Sequence, residues 1–246
     1  MELLANPAWH ALTGPQAHLA EDHGPAVRFQ PALSVFGALP DESTAETWSA
    51  LGELVGPGGV AVLMREDLAP GEGWTERFGG IGVQMAWSGT APQRRIGTES
   101  VPTGFGVGRL GGDDVAEMVA LVARTEPGPF TDRTIELGTY LGVRDASDGA
   151  LVAMAGQRLR PPGAVEISAV CTDEAFRGRG LARLLVDLLI EEITASGDLP
   201  ILHAAASNTG AIRLYESMGF EIRREVRFAA LEAPGHAEDL AEDQAG

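Results

Sequence analysis

The residues with the most specific chemistry lie in the segment Arg177-Gly178-Arg179-Gly180-Leu181-Ala182. This segment separates a strand-like run, Val165 to Thr172, from a strongly helical one, Leu181 to Ile193. A glycine-bearing loop that opens a helix leaves backbone N–H groups without helical partners, and the helix dipole adds positive potential there. Gly178 and Gly180 lack a Cβ, so a phosphate can approach the backbone closely. The loop therefore predicts a phosphate site.

Polar residues that could carry out catalysis flank this loop. Glu166 lies on the incoming strand, His203 on the next strand, and Asn208 and Tyr215 on the helix that follows. Burial in an apolar strand would favour the neutral form of Glu166 and raise its pKa, which suits a general base. His203 is the competing base. Both residues also have a purely structural interpretation: Glu166 as a salt-bridged strand residue and His203 as a hydrogen-bonded one. Cys171 is interpreted as a small, buried hydrophobic residue.

Composition excludes several classes of protein. The net charge of -17 argues against nucleic acid as a partner, and it favours cationic substrates or simply solubility. The single cysteine excludes an internal disulfide and a multi-cysteine zinc site, and no metal is expected. All 18 basic residues are arginine, which excludes a Walker A loop and lysine Schiff-base chemistry. No apolar run is long enough to cross a bilayer and no secretory signal is evident, so we expect no membrane partner and a cytoplasmic location.

The elements that must position these residues form an α/β pattern in two parts. Residues 1–100 are predicted to form an N-terminal α/β lobe and linker without a recognisable site, with strands at Val60–Met64 and Ile81–Trp87. Residues 101–233 alternate strands with helices, and the leucines from Leu181 to Ile193 repeat on one helical face. Residues 234–246 are predicted to be an acidic, mobile tail.

Residues 103–232 resemble the GNAT superfamily of acyl-CoA-dependent N-acyltransferases, and most closely its bacterial, FR47-like branch. Two motifs carry the resemblance. The superfamily's loop, Arg/Gln-x-x-Gly-x-Gly/Ala, is matched by Arg177, Gly180 and Ala182. Its second motif, Asn-x-x-Ala-x-x-x-Tyr followed by Gly-Phe, is matched by Asn208, Ala211, Tyr215, Gly219 and Phe220. The resemblance implies a mixed central sheet flanked by helices, with the additional N-terminal α/β lobe interpreted as a degenerate GNAT half.

The resemblance also implies roles for individual residues. Backbone N–H groups of residues 178–183, from Gly178 to Arg183, are expected to hold the coenzyme A pyrophosphate beside Arg177 and Arg179. The strand end Val170-Cys171-Thr172 is expected to hydrogen-bond the pantetheine arm, provided that the next strand splays away. An N–H near Val170 or Cys171 would polarise the thioester carbonyl. Asn208 would contact the arm, and Tyr215 would protonate the departing sulfur.

In the histone-acetylating branch of the superfamily, the base is a Glu eleven positions before the residue that opens the loop, which here is Glu166. Glu166, His203 and water remain open as the base. The chain departs from the pattern because one long segment, Phe220 to Leu231, follows the Tyr215 helix where two strands are usual. We therefore expect an N-terminal strand to complete the sheet.

These features predict an N-acyltransferase, most simply an acetyltransferase, that moves an acyl group from acetyl-CoA or another acyl-CoA to a primary amine. The amine would attack directly within a ternary complex, and the protein would be a monomer or a homodimer. The alternative is a non-catalytic acyl-CoA sensor or partner-binding protein, which would not need Tyr215 and Glu166. A Rossmann dinucleotide enzyme is excluded because Arg183 stands where the third glycine should be.

Overall fold

The computed structural model describes residues 2–89 and 101–235. The α-helices are α1 (Pro7–Leu12), α2 (Ala45–Val55), α3 (Val115–Thr125), α4 (Leu181–Ala195) and α5 (Thr209–Glu216). The strands are β1 (Ala20–His23), β2 (Ala26–Phe29), β3 (Gly37–Ala38), β4 (Val60–Arg65), β5 (Thr75–Trp87), β6 (Phe105–Arg109), β7 (Tyr140–Asp145), β8 (Leu151–Gln157), β9 (Ala164–Thr172), β10 (Leu199–Ala205) and β11 (Phe220–Glu232). Short 3-10 helices cover Glu2–Ala5, Ala17–Leu19, Gly112–Asp114, Thr134–Leu137 and Glu174–Phe176. Within the described residues, no helix has the length and apolar character that crossing a membrane requires.

Most of the strands join one mixed sheet in the order β4-β11-β5-β10-β9-β8-β7-β6. Strands β9 and β10 run parallel, whereas the other neighbouring pairs of this sheet are antiparallel. Strands β1, β2 and β3 form a separate small antiparallel sheet. The predicted mixed α/β architecture is therefore confirmed.

The strand that was expected from the N-terminal part is present. Strand β5 lies between β10 and β11, and β4 pairs with the far edge of β11. Both strands precede residue 100, so the first hundred residues complete the sheet that the later residues begin. The division into units at residues 100 and 101 stays a prediction, because residues 90–100 lie outside the described part of the chain. Residues 236–246, most of the predicted tail, also lie outside it.

Helices α4 and α3 cover opposite faces of the sheet. The buried leucines of α4, including Leu185 and Leu189, pack in one cluster with Val165 and Ile167 of β9. Side chains alternate along a strand, so Glu166, between these two residues, points to the other face. There α3 packs in a cluster with Met154 and Cys171 among others. Glu166 therefore lies on the α3 face, whereas Tyr215 packs in the cluster of α4.

The N-terminal segments also cover the α3 face. The 3-10 helix at its start brings Leu4 against Ala86, Ala164 and Ile201 at the middle of the sheet. A second cluster packs Leu33 and other buried residues of the first forty against Leu137, which precedes β7, and Leu159, which follows β8. Thr134 Oγ1 donates a hydrogen bond of 2.8 Å to the Leu33 carbonyl across this contact. The first forty residues therefore help to enclose the face on which the candidate site lies.

Candidate active site

Strands β9 and β10 are paired over only part of their lengths. The pairing begins at Leu199 and Ala164 and ends at Leu202 and Ile167. Beyond that point β10 stays with β5 as far as Ala205, and β9 stays with β8 as far as Thr172. Beyond this last pair the two parallel strands no longer pair with each other, so their facing backbone edges are left available to a ligand. We call the opening between 168–172 and 203–205 the slot.

The side of the slot formed by β9 carries a β-bulge. Ser168 pairs with Gly156 and Cys171 with Met154, so two residues of β9 occupy the space of one residue of β8. Ala169, within the bulge, has φ of 52°, a left-handed conformation that is uncommon for a residue with a Cβ. A bulge changes the direction of the local backbone, and bulges are frequent beside active sites. Here it reorients the edge of β9 where it borders the slot.

The loop that was predicted to bind phosphate follows β9 directly. Gly178 and Gly180 have φ of 77° and 79°, a region that L side chains rarely adopt. A Cβ added at either glycine would meet no atom within 4 Å, so the space above the loop is open. Gly180 is the N-cap of α4 and supplies no side-chain cap to the first N–H groups of the helix. The start of α4 therefore has the geometry of an anion site.

The three arginines of this region have local partners. Arg177 Nε donates to the Thr172 carbonyl at 3.3 Å, which ties the loop to the end of β9. The guanidinium of Arg179 lies 5.7 Å from the Phe105 ring centre and 5.1 Å from that of Phe176. Arg183 donates to Ser217 Oγ, which joins the start of α4 to the end of α5. In this state the three side chains hold the loop in place.

Helix α5 positions the two residues of the second motif. The Asn208 side chain accepts a hydrogen bond from the Ala211 N–H at 3.1 Å, so it caps the helix. Tyr215 is buried, and its ring meets Phe220 edge-on with centres 6.0 Å apart. Burial, with a smaller contribution from the nearby Cys171, raises the pKa of Tyr215 to about 12. The phenol therefore keeps its proton at neutral pH.

Cys171 lies in the core below the slot. Its thiol is buried, and burial raises its pKa above the usual value. A protonated, buried thiol is a poor nucleophile, because the thiolate is the reactive form. This agrees with the interpretation of Cys171 as a small hydrophobic residue. In the described part of the chain, no group of three His, Cys, Asp or Glu side chains could hold a metal ion.

Glu166 is fully buried and forms a close ion pair. Arg158 donates from Nη2 to Oε1 at 2.6 Å and from Nε to Oε2 at 2.9 Å. The Leu159 N–H donates to Oε2 at 3.3 Å, and His203 Nδ1 lies 2.7 Å from Oε1. An ionised carboxylate has about four acceptor positions, so all those of Glu166 are occupied.

The expected rise in the pKa of Glu166 is wrong. Burial acts in that direction, but the Arg158 guanidinium and the hydrogen bond from His203 outweigh it and hold the pKa well below its usual range. Arg158 directly follows β8, and its N–H donates to the Glu166 carbonyl at 3.0 Å across the β8–β9 hairpin, a pairing that the sequence analysis did not anticipate. The role of Glu166 as a base remains a prediction.

Gln84 extends this cluster across the sheet. Its Nε2 lies 2.9 Å from His203 Nε2 and 2.7 Å from the Leu4 carbonyl oxygen. The side chains of Arg158, Glu166, His203 and Gln84 therefore form a continuous polar chain from the end of β8 to β5, at the closed end of the slot. Sequence reasoning missed Arg158 and Gln84. The spacing of residues gave no signal for Gln84, since β5 joins β10 from more than a hundred residues away.

The comparisons with known proteins agree with this geometry. The family model described as FR47-like protein matches residues 140–229. A solved structure of a candidate GNAT-family acetyltransferase from Novosphingobium aromaticivorans is 38% identical, with a TM-score of 0.81, over 93% of this chain and 97% of that one. The chain belongs to the GNAT family. A GCN5-related N-acetyltransferase from Kribbella flavida has a TM-score of 0.61 at 18% identity, which shows the shared fold alone.

Two curated relatives match a shorter part. The [ribosomal protein bS18]-alanine N-acetyltransferase of Salmonella typhimurium is 33% identical over 101 residues, 39% of this chain and 68% of that protein. The N-alpha-acetyltransferase RimI of Mycobacterium tuberculosis is 38% identical over 85 residues, 33% of this chain and 51% of that protein. The predictions of the family, of the fold and of an acetyl-transferring enzyme are confirmed. GNAT acetyltransferases use acetyl-CoA as co-substrate.

Proposed function

We propose that this enzyme transfers the acetyl group of acetyl-CoA to a primary amine by direct attack of the amine on the thioester. The observation that carries the proposal is the slot, with its bulge at Ala169, directly beside the uncapped start of α4. A phosphate-binding helix start and a free strand edge, one after the other, suit a ligand with a pyrophosphate at one end and an amide-bearing arm. Acetyl-CoA has this shape.

The residues present fit such a ligand. We propose that the N–H groups of residues 178–183 bind the pyrophosphate, with Arg177, Arg179 and Arg183 shaping the loop around it. The edge of β9 from Val170 to Thr172 would hydrogen-bond the pantetheine arm as an added strand would. The hydroxyl of Thr172, buried and without a partner among the described residues, supports a ligand at this end of β9. Asn208 would face the arm from the start of α5.

Tyr215 is proposed as the general acid. In the reaction the amine nitrogen forms a bond to the acetyl carbon, the bond from that carbon to sulfur breaks, the amine loses a proton and the sulfur gains one. Tyr215 can donate that proton because its phenol stays protonated, with a pKa of about 12, and it lies close to Cys171 at the slot. An N–H of the bulged strand near Val170 or Cys171 would stabilise the oxyanion.

The amine must lose its proton to an acceptor. Glu166 remains proposed as part of that acceptor, but its occupied carboxylate supports a role through His203 and not by direct contact with the amine. His203 lies at the closed end of the slot, one residue beyond the last pair of β9 and β10. A proton could leave through His203 or through water.

The acceptor class is proposed from the charge and from the curated relatives. The net charge of -17 favours an acceptor that approaches as a cation, as an amine does. The two relatives are named for alanine and for N-alpha acetylation, which makes α-amino groups the first class to test. We further propose a cytoplasmic enzyme without a nucleic-acid partner, acting as a monomer or homodimer.

Two measurements test this function. Acetyl-CoA and coenzyme A at about 100 times their Kd should raise the melting temperature, as a gain of about 2.7 kcal/mol in the free energy of unfolding implies. Thiol release from acetyl-CoA, followed across a panel of α-amino compounds and alkyl amines, should identify the acceptor class. Absence of a thermal shift at millimolar ligand would refute the cofactor, and release that does not depend on amine would refute the transfer.

A further inference from the structure

Gln84 is a fully buried polar residue that no step of the proposed reaction uses. It lies on β5, directly opposite His203 of β10 in the pairing register. Its Nε2 contacts both His203 Nε2 and the Leu4 carbonyl, while its Oε1 is buried without a hydrogen-bond partner in the described residues. A buried amide with one oxygen left unpaired is costly, and such groups often mark functional sites.

These contacts determine which ring nitrogen of His203 carries hydrogen. Glu166 is ionised and can only accept, so His203 Nδ1 must donate to it. The Leu4 carbonyl also can only accept, which fixes the Gln84 amide with Nε2 towards Leu4 and His203. One N–H of that amide serves Leu4 and the other serves His203 Nε2. His203 Nε2 is then bare, and the ring is the neutral Nδ1–H tautomer.

We propose that Gln84 is a positioning residue of the acetyl-transfer site, which holds His203 as the neutral Nδ1–H tautomer at the closed end of the slot. The importance of this tautomer for catalysis rests on the proposed function. The neutral ring has a single lone pair, on Nε2, and the Gln84 amide occupies it, so the ring can take up a proton only when that hydrogen bond opens. The groups that face the ring are Glu166 from β9 and Gln84 from β5, with Arg158 behind Glu166.

The unpaired Oε1 of Gln84 is the group that would have to face His203 if Nε2 of the ring carried a proton. A proton added to His203 Nε2 would point an N–H at an N–H, unless the amide turned to present Oε1. Turning the amide would place Oε1 against the Leu4 carbonyl, which would lose its donor. Leu4 therefore holds the amide with Nε2 towards the ring, and the ring with its Nε2 lone pair towards Gln84. The N-terminal segment and the strand from the first hundred residues thus both contribute to the site.

The direct test is the protonation state of the ring, which does not depend on turnover. The chain has five histidines, so ring nitrogen-15 spectra of histidine-labelled protein can be assigned with a His203→Gln variant. At pH 7.5 the wild type should show His203 with a bare Nε2 and a protonated Nδ1. Gln84→Glu should give a ring protonated on both nitrogens, because carboxylates would then face both sides. An Nε2–H tautomer in the wild type would overturn the proposal, even if the variants fail to fold.

Kinetics test whether the tautomer matters. Gln84→Leu should lower kcat by about tenfold or more, because the His203 ring is then no longer held in one position beside the slot, while the Kd of acetyl-CoA changes less than about threefold. Gln157→Leu is the matched control, because Gln157 is equally buried but bonds Glu192 and not His203. Equal losses of kcat in the two variants would refute the positioning role. Absence of acetyl-CoA turnover in the wild type would refute the proposed function instead and leave the ring measurement standing.

Discussion

At the scale of the residue, the central feature is a buried carboxylate that is ionised and saturated. Glu166 has no exposed surface, and Arg158 and His203 together supply three of its four hydrogen bonds. Such a pair is not a strong source of stability against an apolar replacement, but loss of one partner leaves the other charge buried and unpaired. The pair therefore specifies the arrangement of β8, β9 and β10 at the closed end of the slot.

Lowering the pH should show how much the ion pair of Glu166 with Arg158 contributes to stability. The pKa of Glu166 is lowered in the folded state, so its contribution is present above the unfolded value of about 4.3 and is lost as pH falls through the folded value. Glu166→Gln leaves Arg158 unpaired and should lower the free energy of unfolding by roughly 3–5 kcal/mol at pH 7. Because the wild type also loses the pair when Glu166 is protonated, the difference should shrink as the pH is lowered towards 2.

Urea unfolding of both proteins across this pH range measures the effect. Glu136→Gln is the control, since Glu136 pairs with Arg133 on the surface, where exposed pairs contribute little. A difference between wild type and Glu166→Gln that stays constant from pH 7 to pH 2 would show that Glu166 is not ionised in the folded protein.

The two tyrosines of the chain allow a matched test of the proposed general acid. Tyr215→Phe keeps the edge-on contact with Phe220 and removes only the hydroxyl. It should lower kcat by about a hundredfold or more and leave the Kd of acetyl-CoA nearly unchanged. Tyr140→Phe is the control, because Tyr140 lies on β7, two strands away from β9, where its ring packs against Phe130, and loss of its hydroxyl should leave kcat unchanged. Parallel loss of binding and turnover in Tyr215→Phe would assign Tyr215 to binding alone.

At the scale of the element, the sequence predicts some features of the site well. The glycine loop and helix α4 follow from local patterns, namely Gly178 and Gly180 before a regular leucine repeat. Local patterns do not reveal the bulge at Ala169, because alanine carries no preference for positive φ. The divergence of β9 and β10 was expected from the resemblance alone, since the end of the pairing at Leu202 and Ile167 depends on contacts between strands that are distant in sequence.

The first turn of α4 offers a test that separates the phosphate site from helix stability. Ala182→Glu places a carboxylate among the N–H groups proposed to bind pyrophosphate. The substitution suits the helix dipole, so the melting temperature of the free protein should not fall much, but like charge should weaken acetyl-CoA binding by tenfold or more, about 1.4 kcal/mol. Ala116→Glu makes the same change in the first turn of α3. It should leave binding intact, and equal weakening in both variants would argue against a pyrophosphate at α4.

At the scale of the whole molecule, the first hundred residues are part of the sheet that holds the site. β5 lies between β10 and β11, is paired on both edges over residues 82–86, and brings Gln84 to the site. Two strands are usual after the Tyr-bearing helix in proteins of this family, and here β11 alone follows it. Strand β5, from the first hundred residues, takes the position of the second strand. The sequence allowed either Val60–Met64 or Ile81–Trp87 for this place, because both are short apolar runs. Only the order of the sheet distinguishes the inner β5 from the outer β4.

This arrangement predicts that the later residues cannot fold without the earlier ones. In a fragment of residues 101–246, β11 would lose both neighbours, β4 and β5, and β10 would lose one edge. Unpaired edges and an uncovered apolar face favour aggregation, so this fragment should lack cooperative thermal unfolding and acetyl-CoA binding. Co-expression with residues 1–100 should restore both, because pairing of β5 supplies the missing contacts. A fragment 101–246 that unfolds cooperatively and binds acetyl-CoA by itself would show that β5 adds to a finished domain, and it would favour the division at residue 100 over a shared fold.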